Sequence, residues 1–340
     1  MSDPWAGRLV IPGAPDGPPA GTTLAETLEG FLGWQAARWP RLARARDALA
    51  GVRVWEVPVG RPACRVQWNP DRTLSTTARV DPASVAARPC FLCPGALPEE
   101  ERGLAFGADA VILANPAPIL PDHLVFVARA HVPQAVGAAL PLLLAVAATL
   151  GGRFSAFYNG PRCGASAPDH LHVQAVRGGV LPAERAAVDG PGPDDRLLVV
   201  RPDLTAWSLQ GQGRPALAFQ GRADRVASAL GVAVETLGQL RPDAPEPLLN
   251  LLAVGRPQGV LALLFPRAAH RPACFFDEGP ARLTVSPGAL DMAGEIVAVR
   301  EEDFQALDGS RVASIFSEVS LDPGRVRALE DALARRLYDG

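Results

Sequence analysis

The stretch from Phe157 to Gln174, Phe-Tyr-Asn-Gly-Pro-Arg-Cys-Gly-Ala-Ser-Ala-Pro-Asp-His-Leu-His-Val-Gln, limits what this chain can fold into more than any other. The apolar run Phe154 to Tyr158 reads as a strand, and the glycine-containing segment Asn159 to Asp169 reads as a loop. A second strand-like run covers Leu171 to Val176. Alternation along a strand sets His170, His172 and Gln174 on one face and Leu171, Val173 and Ala175 on the other. Two imidazoles and an amide facing one way are costly to bury without partners. Gly160 and Gly164 let the loop turn tightly and offer N–H groups to an anion. The local reading is therefore a phosphate loop with an imidazole beside it.

Composition narrows the class of partner. The chain has 340 residues and a 48% apolar share, enough for two lobes or one large domain. No apolar run reaches the roughly 18 residues of a membrane span, and Ala135 to Leu150 reads as a packed helix. A net charge of -3 with no basic cluster argues against nucleic acid as a partner. All 33 basic residues are arginine, so arginine must do any phosphate holding and no lysine amine is available for catalysis. Five cysteines without a secretory leader suggest free thiols and a cytoplasmic setting rather than a disulfide scaffold.

The pattern Asn159-Gly160, Gly164-Ala165-Ser166 and His170-Leu171-His172-Val173-Gln174 resembles the active-site segment of the histidine-triad superfamily. More narrowly, it is similar to the branch with glutamine at the third triad position, that of galactose-1-phosphate uridylyltransferase, diadenosine tetraphosphate phosphorylase and GDP-L-galactose phosphorylase. The resemblance implies that His172 attacks the α-phosphorus of a nucleotide and carries the nucleotidyl group covalently. It implies that Gln174 stabilises a phosphoryl oxygen and that Asn159, Gly160, Gly164, Ala165 and Ser166 bind substrate. The spacing from Ser166 to His172 is one residue longer than in those relatives. Chemistry agrees with the first assignment, because neutral imidazole is a good nucleophile near neutral pH. Two ordinary surface histidines on a polar strand edge are the competing reading.

Cys90-x-x-Cys93 alone fits a redox pair, half a metal site or two buried thiols. In zinc-containing relatives a cysteine pair joins a histidine from the preceding strand element and the first triad histidine. Here Leu120-Pro-Asp-His123 through His131 is similar to that element, and the resemblance implies Cys90, Cys93, His131 and His170 as ligands of a structural zinc. His123 is expected to sit at a strand entry and make a backbone hydrogen bond. Arg72 and Arg267 are candidate phosphate contacts, and Asn250 is a candidate contact to a sugar hydroxyl.

The expected architecture is α+β, with histidine-triad-like antiparallel sheets, helices and two related lobes. Residues 1–20, rich in Pro, Gly and Ala, read as a loose tail. Residues 21–180 form the catalytic lobe, 181–195 a linker and 196–340 a degenerate second lobe. Helices are expected from Thr22 onward, after Pro40, before Leu150, over Ala223 to Leu240 and over Asp322 to Tyr338. Asn250 to Val254 and Val260 to Pro266 read as a hairpin. Segment 66–93 resembles a bacterial family of the same branch, and Ser286 to Phe304 is similar to GDP-L-galactose phosphorylase. The implied activity is a nucleotidyltransferase or phosphorylase acting on a nucleoside diphosphate-sugar or dinucleoside polyphosphate, with inorganic phosphate or a sugar phosphate as acceptor. Homodimers are common in the branch. A hydrolase of the same superfamily and a silent nucleotide- or zinc-binding module are the alternatives.

Overall fold

The computed structural model describes residues 3–241 and 246–339. The first helix, Leu24–Arg38, starts at a reciprocal capping box: Thr23 Oγ1 accepts the Glu26 N–H at 3.2 Å and the Glu26 carboxylate accepts the Thr23 N–H. Helix Pro40–Ala50 opens on a proline, where no N–H partner is needed. A small sheet follows, in which β1 (Arg53–Val57) pairs with β2 (Cys64–Trp68). Its third strand, β13 (Glu295–Ala298), comes from far along the chain and runs parallel to β2.

Among the described residues, the main sheet has ten antiparallel strands. In chain order they are β3 (Leu104–Phe106), β4 (Ala110–Ala114), β5 (Leu124–Ala128), β6 (Phe154–Asn159), β7 (His172–Arg177), β8 (Arg196–Arg201), β9 (Leu204–Leu209), β10 (Ala216–Gly221), β11 (Leu249–Arg256) and β12 (Gly259–Pro266). In space the order is β3-β4-β5-β7-β6-β11-β12-β10-β9-β8. The first five positions, β3-β4-β5-β7-β6, map one for one onto β8-β9-β10-β12-β11. Each set carries a helix between its third and fourth strand in sequence, Val136–Leu150 in one and Ala223–Leu240 in the other. The two units meet where β6 pairs with β11, with Asn159 opposite Asn250.

Both faces of this sheet are covered, which explains why its central strands are apolar throughout rather than alternating. Helices Leu24–Arg38, Val136–Leu150, Ala223–Leu240 and Pro323–Asp339 pack on one face, around Phe126, Phe154 and Phe219. The small sheet and helix Gly309–Val319 cover part of the other, around Phe157, Trp207 and Phe265. Each such aromatic contributes roughly 1.5–3 kcal/mol by burial. Helix Val136–Leu150, apolar enough by composition to cross a membrane, buries Leu143, Val146 and Leu150 against the sheet.

The two related units share one continuous sheet, because β6 and β11 pair directly. Two other expectations change. Segment 181–195 is not a free linker: helix Pro182–Ala187 is packed down by Leu181, Ala183 and Ala187. Its Glu184 carboxylate accepts the Ser155 hydroxyl at 2.6 Å. Residues 3–20 are not a loose tail as a whole, since Trp5 is fully buried and its indole N–H donates to Arg129 O at 3.1 Å.

Candidate active site

Where β6 leaves β7 to join β11, the two strand ends open and the glycine loop begins. The last β6–β7 pair is Phe157 with Gln174, and β5 lies on the other side, setting Val125 opposite Gln174 and Val127 opposite His172. Val173 and Ala175 point into the helix-covered core, so His172 and Gln174 face the other way. The opened backbone is bridged by the buried Gln134. Its amide nitrogen donates to Asn159 O and His172 O, both at 3.0 Å, and its oxygen accepts the His172 N–H at 2.8 Å. Sequence reasoning missed this role; a polar side chain ahead of an apolar helix was the available signal.

His172 is held in one tautomer. Its Nδ1–H donates to His170 O at 2.8 Å, which leaves the lone pair on Nε2. Burial lowers its pKa to about 4, so the ring is neutral at neutral pH. The loop ahead of it is shaped by backbone contact with a distant segment. Gly164 has φ +95, and a Cβ there would lie 2.7 Å from Gly288 Cα. Asn159 Oδ1 accepts the Ala289 N–H at 2.7 Å and the Asn250 amide at 2.9 Å. Among the described residues, the N–H groups of Gly164, Ala165 and Ser166 meet no protein acceptor. N–H groups left unpaired in one turn can receive an anion, and these three line the cavity described below. Gly160 does not contribute, because its N–H is spent on Leu249 O at 3.3 Å.

Cys90, Cys93, His131 and His170 come together as a second cluster. Their ligand atoms lie within 4.8 Å of one another. His170 Nδ1 is 3.3 Å from Cys90 Sγ and 3.5 Å from Cys93 Sγ, and His131 Nδ1 is 3.3 Å from Cys93 Sγ. His170 Nε2 donates to Ala128 O at 2.8 Å, which turns the Nδ1 lone pair toward the sulfurs. Burial pushes the Cys90 thiol up to about 12. Two sulfurs and two nitrogens at these separations fit a tetrahedral cation, which would bind the thiolates and offset that burial cost.

A cavity of about 700 Å³ spreads in front of His172 and Gln174. Asn159, Gly164, Ala165, Ser166 and Arg72 line it, as expected from the sequence. Arg72 is half-buried, gives one N–H to Ala117 O at 2.6 Å, and stays charged although burial lowers its pKa to about 10. Arg267 and Asn250 do not line the cavity. Every Arg267 nitrogen is engaged by the protein, by Val319 O, Asn250 Oδ1, Pro287 O, Ala269 O and His270 O. Asn250 spends its amide on Asn159 and Cys163 O. Both are structural, for the β6–β11 seam needs its buried polar groups satisfied.

Three cavity residues went unread. Arg88 ties the cysteine loop to the glycine loop, donating to Ser166 O at 3.3 Å and Asp169 at 2.9 Å while covering the Phe91 ring. Arg271 is fixed by Ser286 Oγ, Thr76 O and Ala78 O, each at 3.0 Å, and its Nη1 has no partner among the described residues. His270, beside it, also lines the cavity, and burial lowers its pKa to about 4. Scarcity was the available signal, since His270 is one of 5 histidines in the chain.

The doubled antiparallel sheet, with His-x-His-x-Gln leading into β7, is a fold shared with solved structures. Residues 31–177 match the family model described as a domain of unknown function, DUF4922. Among solved structures, yeast Ap4A phosphorylase Apa2 in complex with AMP matches with a TM-score of 0.56 and 17% identity, over 85% of this chain and 96% of that one. The same protein in complex with Ap4A matches with a TM-score of 0.53 and 16% identity, over 83% and 96%. No curated protein matches by sequence.

Proposed function

We propose that this protein is a nucleotidyltransferase that cleaves a nucleoside diphosphate-sugar or a dinucleoside polyphosphate through a nucleotidyl-His172 intermediate. The observation that carries the reading is the His172 tautomer, which leaves a lone pair on Nε2 of a ring that lines the same cavity as residues 164–166, whose N–H groups meet no acceptor among the described residues. In the first step Nε2 forms a bond to the α-phosphorus and the bond from phosphorus to the bridging oxygen breaks. The leaving group departs as a sugar phosphate from a nucleoside diphosphate-sugar, or as a nucleotide from a dinucleoside polyphosphate. In the second step an acceptor oxygen attacks, the P–N bond breaks, and neutral His172 is regenerated.

The neutral amide of Gln174 stabilises charge on a phosphoryl oxygen but supplies no proton. That favours leaving groups stable as anions, namely a sugar phosphate or a nucleotide. Arg72 and Arg271 line the cavity and do the charge work that lysine does elsewhere. Arg271, with a spare nitrogen and His270 beside it, suits inorganic phosphate or a sugar phosphate as acceptor. The fold likeness to a yeast protein crystallised with AMP and with Ap4A supports a nucleotide donor. The metal we assign to Cys90, Cys93, His131 and His170 is structural zinc, which would pin the cysteine loop beside the triad strand.

The test is exchange without acceptor. Labelled leaving group should enter unreacted donor in the wild type at a rate close to turnover. His172→Gly should lower exchange by at least about 1000-fold with donor binding kept. Exchange that survives in His172→Gly would overturn the nucleophile.

A further inference from the structure

Gln174 can serve a phosphoryl oxygen only if its amide group turns the nitrogen, not the oxygen, toward the cavity. Two backbone N–H groups settle which way it turns. The Ile119 N–H donates to His123 Nδ1 at 3.1 Å, so His123 carries its proton on Nε2. That Nε2 lies 2.9 Å from Gln174 Oε1 and must donate to it. The Ala117 N–H donates to Asn115 Oδ1 at 2.9 Å, so Asn115 presents its NH2 end to the same oxygen, at 3.4 Å. Both neighbours offer hydrogens and neither can accept one. Asn115 Nδ2 and His123 Nε2 lie 3.2 Å apart and converge on that oxygen, which a reversed amide would replace with a third donor.

We infer that His123 and Asn115 are positioning residues, which lock the Gln174 oxygen inward and so aim its two N–H hydrogens at the reacting phosphoryl group. Several features support a permanent lock. His123 is buried, and its ring lies 5.7 Å from Phe157, the strand neighbour of Gln174. Burial, aided by the Arg72 charge, lowers its pKa to about 3, so the Nε2–H tautomer persists near neutral pH. Segment 115–123, which includes both residues, is thereby part of the chemistry although it holds no group that reacts. A lone histidine at a strand entry would otherwise read as a satisfied core residue.

The inference rests on the nucleotidyl-transfer reading for its kinetic consequence but not for its geometry. Rates of nucleotidyl-enzyme formation should be compared for wild type, His123→Phe, His123→Gln, Gln174→Ala and the double variant His123→Phe/Gln174→Ala. His123→Phe keeps the ring volume and removes the donor. It should slow formation roughly 10- to 1000-fold, up to the roughly 100- to 1000-fold of losing an oriented donor outright, with donor KM nearly unchanged. His123→Gln, which restores an N–H near the Nε2 position, should recover most of the rate. In the Gln174→Ala background, His123→Phe should cost nothing more, because the group it positions is gone. An equal further loss there, or a wild-type rate for His123→Phe alone, would overturn the positioning role. If the wild type forms no adduct, the transfer reading fails by itself. Nitrogen-15 spectra of the His123 ring then decide the geometry: neutral Nε2–H from pH 5 to 8, perturbed by Gln174→Ala, supports it. A proton on Nδ1, or titration in that range, overturns it.

Discussion

The role proposed for His172 depends on what its neighbours engage. The His170 carbonyl accepts the Nδ1–H, Gln134 clamps the backbone on both sides, and the Nε2 lone pair is what remains. The same accounting separates the two arginines that flank β12 and its exit loop. Arg267 has no donor left over, so Arg267→Met should lower stability by about 2–5 kcal/mol, through stranded buried acceptors. Acceptor KM of the folded fraction should hardly move. Arg271 leaves the two N–H groups of Nη1 without an acceptor among the described residues, so Arg271→Met should raise acceptor KM roughly 10- to 100-fold, in line with a lost charge-assisted hydrogen bond. Denaturant melts and steady-state kinetics on the two variants check both statements, and the reverse pattern would exchange their roles. Sequence reading named His172, Gln174 and the cysteine–histidine set through the family resemblance that the His-x-His-x-Gln and Cys-x-x-Cys motifs carry. It could not separate Arg267 from Arg271, since spare donors depend on which carbonyls the fold brings near.

At the scale of elements, strands and helices with a clear period were legible. Helix Ala223–Leu240 and the hairpin of β11 and β12 fall where the apolar spacing put them. What was not legible was pairing between distant segments. β13 adds to the β1–β2 hairpin from more than two hundred residues away, and nothing in its short run announces that partner. The junction leaves a mark, for Glu295 is buried opposite Arg65 with one carboxylate oxygen lacking a hydrogen bond. Burial raises its pKa from 4.5 to about 7. A raised carboxylate pKa means the folded state holds the proton more tightly, so this group costs stability as pH rises from about 4.5 through about 7. Glu295→Gln should therefore be more stable than wild type at pH 8, by on the order of 1–3 kcal/mol. The gain should fade toward pH 4.5. Thermal melts across that range check the sign, and a variant less stable at pH 8 would mean the Arg65 pair outweighs the burial.

Over the whole molecule, one sheet built from two equivalent five-strand units brings the first unit's triad against the second unit's exit loop. His270, Arg271 and the Ser286–Ala289 turn thus reach the cavity that His172 faces. The duplication was visible in the sequence as a loosely repeated order of strands and helix. Fusion into a single sheet was not, because it depends on the β6–β11 seam alone. The cysteine–histidine cluster stitches residues 90–93 to 131 and 170 across the first unit. Purified protein should carry about one zinc per chain, and Cys90→Ser should lose most of it and melt several degrees lower; unchanged metal content would remove that cluster from the account. The most direct measurement of the central claim is intact mass after mixing the protein with nucleoside diphosphate-sugars and diadenosine tetraphosphate, phosphate omitted. The account predicts a gain of one nucleoside monophosphate with at least one donor, absent in His172→Gly and removed by adding acceptor. Correctly folded protein that gains no mass with any donor would contradict it.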